Sequence, residues 1–198
     1  PLDIGGAVRV NYVYGDYSNS DDGEGPYRGG HGGNVELDTF RLNLDFDYGQ
    51  WVGKAEYRWY DGYNVLHTGW LGYDFQDDSQ VQVGVNRVPF GPGPFGISQS
   101  WFFDQHFYVG LADDMDLGVK YTKPFGNLTL DLAYYLMDEG HWRGDSEDSA
   151  RYSYDVVDPT DKGYEERHQF NLRAIYTFED WVVPTDLGVS GQYGLLES

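Results

Sequence analysis

"TFRLNLDFDYGQWVGKAEYRWY", Thr39 to Tyr60, carries two alternating patterns joined by a short turn. In the first, Phe40, Leu42, Leu44, Phe46 and Tyr48 oppose Thr39, Arg41, Asn43, Asp45 and Asp47. In the second, Ala55, Tyr57 and Trp59 oppose Lys54, Glu56 and Arg58. Side chains of a strand point alternately to opposite faces, so each run predicts a strand with one apolar and one polar face. Gly49-Gln50 between them is short enough to make the two strands antiparallel neighbours.

The alternation continues on both sides. Ile4, Val8, Val10, Tyr12 and Tyr14 oppose Asp3, Gly5, Ala7, Arg9 and Asn11 in the first strand. Leu128, Leu130, Leu132 and Tyr134 oppose Thr129 and Asp131, and Phe170, Leu172, Ala174, Tyr176 and Phe178 oppose Asn171 and Arg173. Weaker patterns near 65–75, 81–88, 117–122 and 187–193 bring the predicted total to about nine strands.

Composition agrees with strands that have one apolar side. Aromatic residues make up 18% of the 198 residues, with 18 Tyr, 11 Phe and 6 Trp, alongside 27 Gly. Cysteine is absent, which excludes disulfides and thiolate metal sites. A formal charge of -20 opposes nucleic-acid binding, because no basic surplus exists to displace counterions from phosphate. No run approaches the roughly 18 to 20 apolar residues of a membrane helix. A strand hides a lipid-facing side in every second residue, so crossing by strands stays open. The absence of an initiating Met before Pro1 agrees with loss of a leader peptide.

Connection lengths sort themselves. Short links fall at Gly49-Gln50, 76–79, 124–127 and 179–186, a medium one near Asp61-Gly62, and long ones at 18–34, 91–116 and 138–168. Tight turns at one end and long loops at the other is the up-and-down plan of an outer-membrane barrel. Greek-key sandwiches have no reason to sort loops this way. Tyr12, Tyr14, Tyr17, Tyr48, Trp51, Trp59, Tyr73, Phe75, Tyr176, Phe178 and Trp181 fall near strand tips, where rings form interfacial girdles. The expected fold class is therefore all-β: an antiparallel up-and-down transmembrane β-barrel occupying residues 1–198 as one domain. An odd strand count, and an end at "QYGLLES", predict the N-terminal part of a larger barrel of about 16 strands.

"GVNRVPFG", Gly84 to Gly91, resembles the strand end of general and phosphate-selective bacterial outer-membrane porins. "YVGLADDMDLGVKYT" and "TFRLNLDFDYGQWVGKAEYRW" extend the resemblance. It implies a water-filled diffusion channel, a homotrimer, and a third extracellular loop folded inward as the constriction, here 91–116. Pro89, Pro92 and Pro94 end strand pairing, and Gly91, Gly93 and Gly96 allow a sharp inward turn. Asp104, Asp113, Asp114 and Asp116 would then place carboxylates in the constriction. An ordinary solvated acidic loop is the alternative.

Arg9, Arg41, Lys54, Arg58, Lys120 and Arg173 share the polar phase of successive strands and are expected to line the pore. A positive wall against a negative loop makes a transverse field that filters solutes by charge and size. Pairing of these cations with Asp45, Asp47, Glu56, Asp74 and Asp131, in the same phase, is the competing expectation. Arg87 falls in the apolar phase by strict alternation, and a bulge or strand end near Pro89 would turn it inward. Trp101, Phe102, Phe103, Phe107 and Tyr108 either wedge the loop against the wall or stack on sugars.

The segment 138–168, with "GDSEDS", is strongly acidic; its carboxylates could hold Ca2+ or Mg2+ bridging lipopolysaccharide phosphates, but no EF-hand spacing exists and a solvated acidic loop is the preferred expectation. No other cofactor is expected. Expected partners are outer-membrane lipid, lipopolysaccharide and small hydrophilic solutes. Five scattered histidines, without HExxH, nucleophile elbow or P-loop, argue against an enzyme. The alternatives are a soluble carbohydrate-binding β-sandwich, and a non-channel barrel acting as an adhesin or as a rim hydrolase that pairs Ser98 or Ser100 with His106.

Overall fold

The computed structural model describes residues 1–14, 34–60, 64–92, 114–138 and 165–197. They form nine strands: β1 (Leu2–Val13), β2 (Asn34–Tyr48), β3 (Trp51–Tyr60), β4 (Asn64–Asp74), β5 (Gln80–Arg87), β6 (Met115–Phe125), β7 (Leu128–Asp138), β8 (Glu165–Phe178) and β9 (Thr185–Glu197). All belong to one antiparallel sheet in the order of the chain, and β1 and β9 are its unclosed edges.

Two of the turns explain themselves locally. Gly49 and Gly126 have φ of 67° and 58° and occupy the first central position of the two-residue links 49–50 and 126–127. A type II′ hairpin turn needs a positive φ there, and glycine supplies it without steric cost. In the link 75–79, Asp77 accepts hydrogen bonds from the Ser79 amide and hydroxyl at 3.2 and 2.5 Å, and Lys123 from β6 pairs with Asp77. These links share one end of the sheet with 179–184. Connections 14–33, 61–63, 88–114 and 139–164 share the other.

The register keeps one apolar face continuous across all nine strands. Reading across, Val8 stands opposite Phe40 and Phe40 opposite Trp59. Farther along, Leu71 faces Val83, Val83 faces Val119, Leu132 faces Leu172, and Ala174 faces Val189. Among the described residues no second layer covers this face: Ile4 is 70% exposed and Val189 72%. A cluster of buried polar groups lies on the opposite, polar face. Asn86, Asp116, Asp131, Tyr135, Gln169 and Asn171 are all almost completely buried there.

What buries them begins at the end of β5. After Arg87 the chain crosses the polar face: Val88 and Phe90 pack on Ala133 and Tyr135 of β7. Gly91, with φ of 58°, receives an Arg173 hydrogen bond on its carbonyl at 3.3 Å and donates its amide to the Ser190 hydroxyl of β9 at 3.0 Å. In a flat sheet, strands four places apart are separated by about 19 Å at the usual ~4.8 Å spacing. Four extended residues reach only about 14 Å. The sheet therefore curls, with its polar face on the concave side.

Candidate functional site

The concave face has a covered half and an open half. In the covered half, the Tyr135 hydroxyl lies 2.9 Å from both Asn86 Oδ1 and the Arg87 carbonyl, which share its single proton, and Asn86 Nδ2 donates to the Gly84 carbonyl at 3.0 Å. Gln169 donates to Asp116 Oδ2 at 2.8 Å, Gln192 to Gln169 at 2.9 Å, and Asn171 to Gln192 at 2.8 Å. Such a chain of amides around one carboxylate pairs several donors and acceptors that would otherwise be costly to bury, although Asn171 Oδ1 accepts no hydrogen bond from any described residue.

The six predicted wall cations divide between the halves. Lys120 donates its ammonium to the Arg87 carbonyl at 2.9 Å. Arg173 pairs with Asp131 at 2.8 Å, and Thr122 donates to the other oxygen of that carboxylate at 2.6 Å. Both cations lie beneath or beside the crossing segment and hold it down. Arg87 is the last residue of β5 and pairs with Met115 with no break of register, so a strand end rather than a bulge precedes Pro89. The local departure is at Gly84, whose φ is 127°. Two polar-face side chains, Tyr135 and Lys120, meet the Arg87 carbonyl.

Arg9, Arg41, Lys54 and Arg58 stand in the open half. Arg9 pairs with Asp38, whose carboxylate also accepts from Asn11 at 3.1 Å and Thr39 at 2.7 Å. Lys54 lies 3.3 Å from Asp45, its directly opposite neighbour. Arg58 donates to Glu56 at 2.5 Å and to the Tyr60 hydroxyl at 3.1 Å. Arg41 stands directly opposite Arg58, is exposed, and makes no ion pair with any described residue. With Thr39 and Tyr60, the arginines Arg9, Arg41 and Arg58 line a depression of about 290 Å3. Of these four cations, Arg9, Lys54 and Arg58 are paired with carboxylates, as the competing expectation has it, and Arg41 pairs with none among the described residues.

Of the loop acids, Asp104 and Asp113 lie outside the described residues, as do Trp101, Phe102, Phe103, Phe107, Tyr108 and the Ser98, Ser100 and His106 of the hydrolase alternative. Asp114 forms the base of the loop, where its carbonyl accepts from the Val88 amide at 3.0 Å. Asp116 belongs to β6 rather than to the loop and is held by Gln169. The connection is therefore 88–114, shorter at its far end than the sequence predicts. The acidic 139–164 segment also lies outside the described residues, and His168 falls inside β8.

Sequence reasoning missed His67. A break of register between Glu56 and Tyr57 places its ring 3.7 Å from the buried Glu56 carboxylate and 2.9 Å from the Thr68 hydroxyl. Glu56 is also held by Asn43 at 3.1 Å. Only the register break brings His67 there, and alternation carries no sign of it. No group of three or more metal-binding side chains occurs among the described residues. No protein-family model, curated protein or solved structure matches the chain.

Proposed function

We propose that the chain forms a sector of a bacterial outer-membrane porin, a trimeric, water-filled barrel of about 16 strands that passes small hydrophilic solutes passively. The observation that carries this reading is the crossing of the concave polar face by residues 88–91, anchored on Arg173 and Ser190. A segment folded over the inside of a curved sheet narrows whatever space that sheet encloses. The continuous, uncovered apolar face supports the same reading, because it needs a hydrocarbon medium.

In this reading Arg9, Arg41, Lys54 and Arg58 face water in the lumen, and Lys120 and Arg173 hold the constriction in place. The 88–114 connection supplies the opposing acids Asp104, Asp113 and Asp114. No covalent chemistry is involved, and outer-membrane lipid surrounds the outer wall. The test is single-channel conductance of the full-length protein in planar bilayers, with reversal potential under a KCl gradient. Discrete conductance steps are expected. Folded, membrane-inserted protein that conducts nothing would overturn the porin reading in favour of a non-channel barrel.

A further inference from the structure

The Glu56 carboxylate on β3 is almost completely buried, and its two oxygens are held differently. Oε2 accepts from Asn43 Nδ2 of β2 at 3.1 Å. Oε1 is shared: Arg58 Nε donates to it at 2.5 Å, and His67 Nδ1 of β4 lies 3.7 Å away. That second distance is too long for a hydrogen bond, and the same Nδ1 stands 2.9 Å from the Thr68 hydroxyl. With a neutral imidazole, therefore, Oε1 belongs to Arg58. With an imidazolium, two cations contend for one oxygen where the side-chain exposure is 8% for Glu56 and 16% for His67. So little water screens the site that the added charge is felt at full reach.

The effect reaches the depression described above. Arg58 forms part of its wall with Arg9 and Arg41, and stands directly opposite Arg41. While Glu56 neutralises Arg58, the open charge of the Arg41–Arg58 pair is that of Arg41. As His67 charges, it draws on the same carboxylate, and the wall gains one positive unit beside Arg41. The other charged groups on the elements packed here leave that sign unchanged. Lys54 of β3 is matched by Asp45 at 3.3 Å, and Asp74 of β4 lies at the short-turn end of its strand. β5 pairs with β4 only over 69–74, and its one charged residue is another cation, Arg87, at the strand end.

We infer that His67 is a specificity-determining residue of the proposed channel: on protonation it competes with Arg58 for Glu56 and makes the Arg41–Arg58 depression more attractive to anions. The inference rests on the porin reading, which puts that depression on the solute path. Arg41 and Arg58 meet the solute, whereas His67 acts through Glu56 and is a positioning residue. Imidazole is the side chain whose charge ordinarily changes between about pH 5 and 8, so the preference moves toward anions as the medium acidifies.

Two measurements on the full chain test this. In the protein refolded in uncharged detergent, with arginine and histidine labelled with 15N, the Arg58 Nε–H resonance is expected to move with the same midpoint as the His67 ring. In planar bilayers under a KCl gradient, the preference for chloride over potassium is expected to rise between about pH 8 and about pH 5. His67→Gln keeps a polar side chain that cannot charge, and should remove about a twofold part of that rise, the scale of one unit charge acting across water on a passing ion. An Arg58 resonance that ignores the His67 titration would overturn the inference, as would a His67 that stays neutral throughout. Neither outcome depends on a variant folding. An equal rise in His67→Gln and the parent protein would also overturn it. An Arg58 that follows His67 in a protein that conducts nothing removes the porin reading. A conducting protein whose Arg58 ignores His67 removes this inference alone.

Discussion

Removing the Tyr135 hydroxyl would take away the hydrogen bond on Asn86 Oδ1, at the base of the crossing segment. Tyr135→Phe is expected to cost about 1–3 kcal/mol, the usual consequence of stranding a buried polar group. Urea unfolding in detergent micelles would measure it. Arg41 is the opposite kind of residue, exposed and without an ion pair to any described residue. Arg41→Gln should shift the reversal potential toward cation preference. Lys120→Gln should shift it less, because that ammonium is already bound to a carbonyl. Equal shifts would mean that Lys120 faces the solute path. In the turn 75–79, the Lys123 hydrogen bond, aided by Ser79, holds the Asp77 carboxyl below its ordinary 3.8. A depressed carboxylate pKa contributes stability above the ordinary value and loses it as pH falls through the folded one. Titration of Asp77 by NMR should therefore show ionisation persisting well below pH 3.8. Lys123→Gln should raise its midpoint.

Among the elements, β5 and β6 are the most constrained. Gly84 and Gly118 stand opposite each other. A Cβ on Gly84 would lie 2.2 Å from the Gly69 carbonyl oxygen, and one on Gly118 2.2 Å from that of Tyr134. Backbone atoms cannot give way as a flexible side chain can. Gly84→Ala and Gly118→Ala should therefore sharply reduce the yield of refolded protein, judged by circular dichroism and protease resistance. The strands themselves were legible from alternation alone, and the two-residue turn at Gly49 fixed the Arg41–Arg58 pairing. The register breaks at Arg9, Glu56, Leu117 and Arg167 were not legible, because each depends on the partner strand. They decide which groups meet, His67 beside Glu56 among them. Asn171 reads as an ordinary polar-phase position, and alternation carries no sign that it is almost completely buried.

For the whole molecule, the uncovered apolar face dominates. An exposed apolar surface running across nine strands far exceeds what a soluble monomer leaves to water. The protein is expected to stay monodisperse in detergent or lipid and to aggregate when detergent is withdrawn, as sedimentation velocity would reveal. Monodispersity without detergent would favour the sandwich alternative.

Residues 88–91 run from β5 to β9 by a path shorter than the sheet beneath them, and so act on that sheet as a string acts on a bow. Tension in the string and curvature of the limb are one quantity. Severing its far knot, the Ser190 hydroxyl and the Arg173 guanidinium, should free the crossing segment and let the arc of strands relax toward a wider radius. A change at the narrowest point of the concave side would then be felt on the convex side, where the spacing of the apolar rows follows the bend.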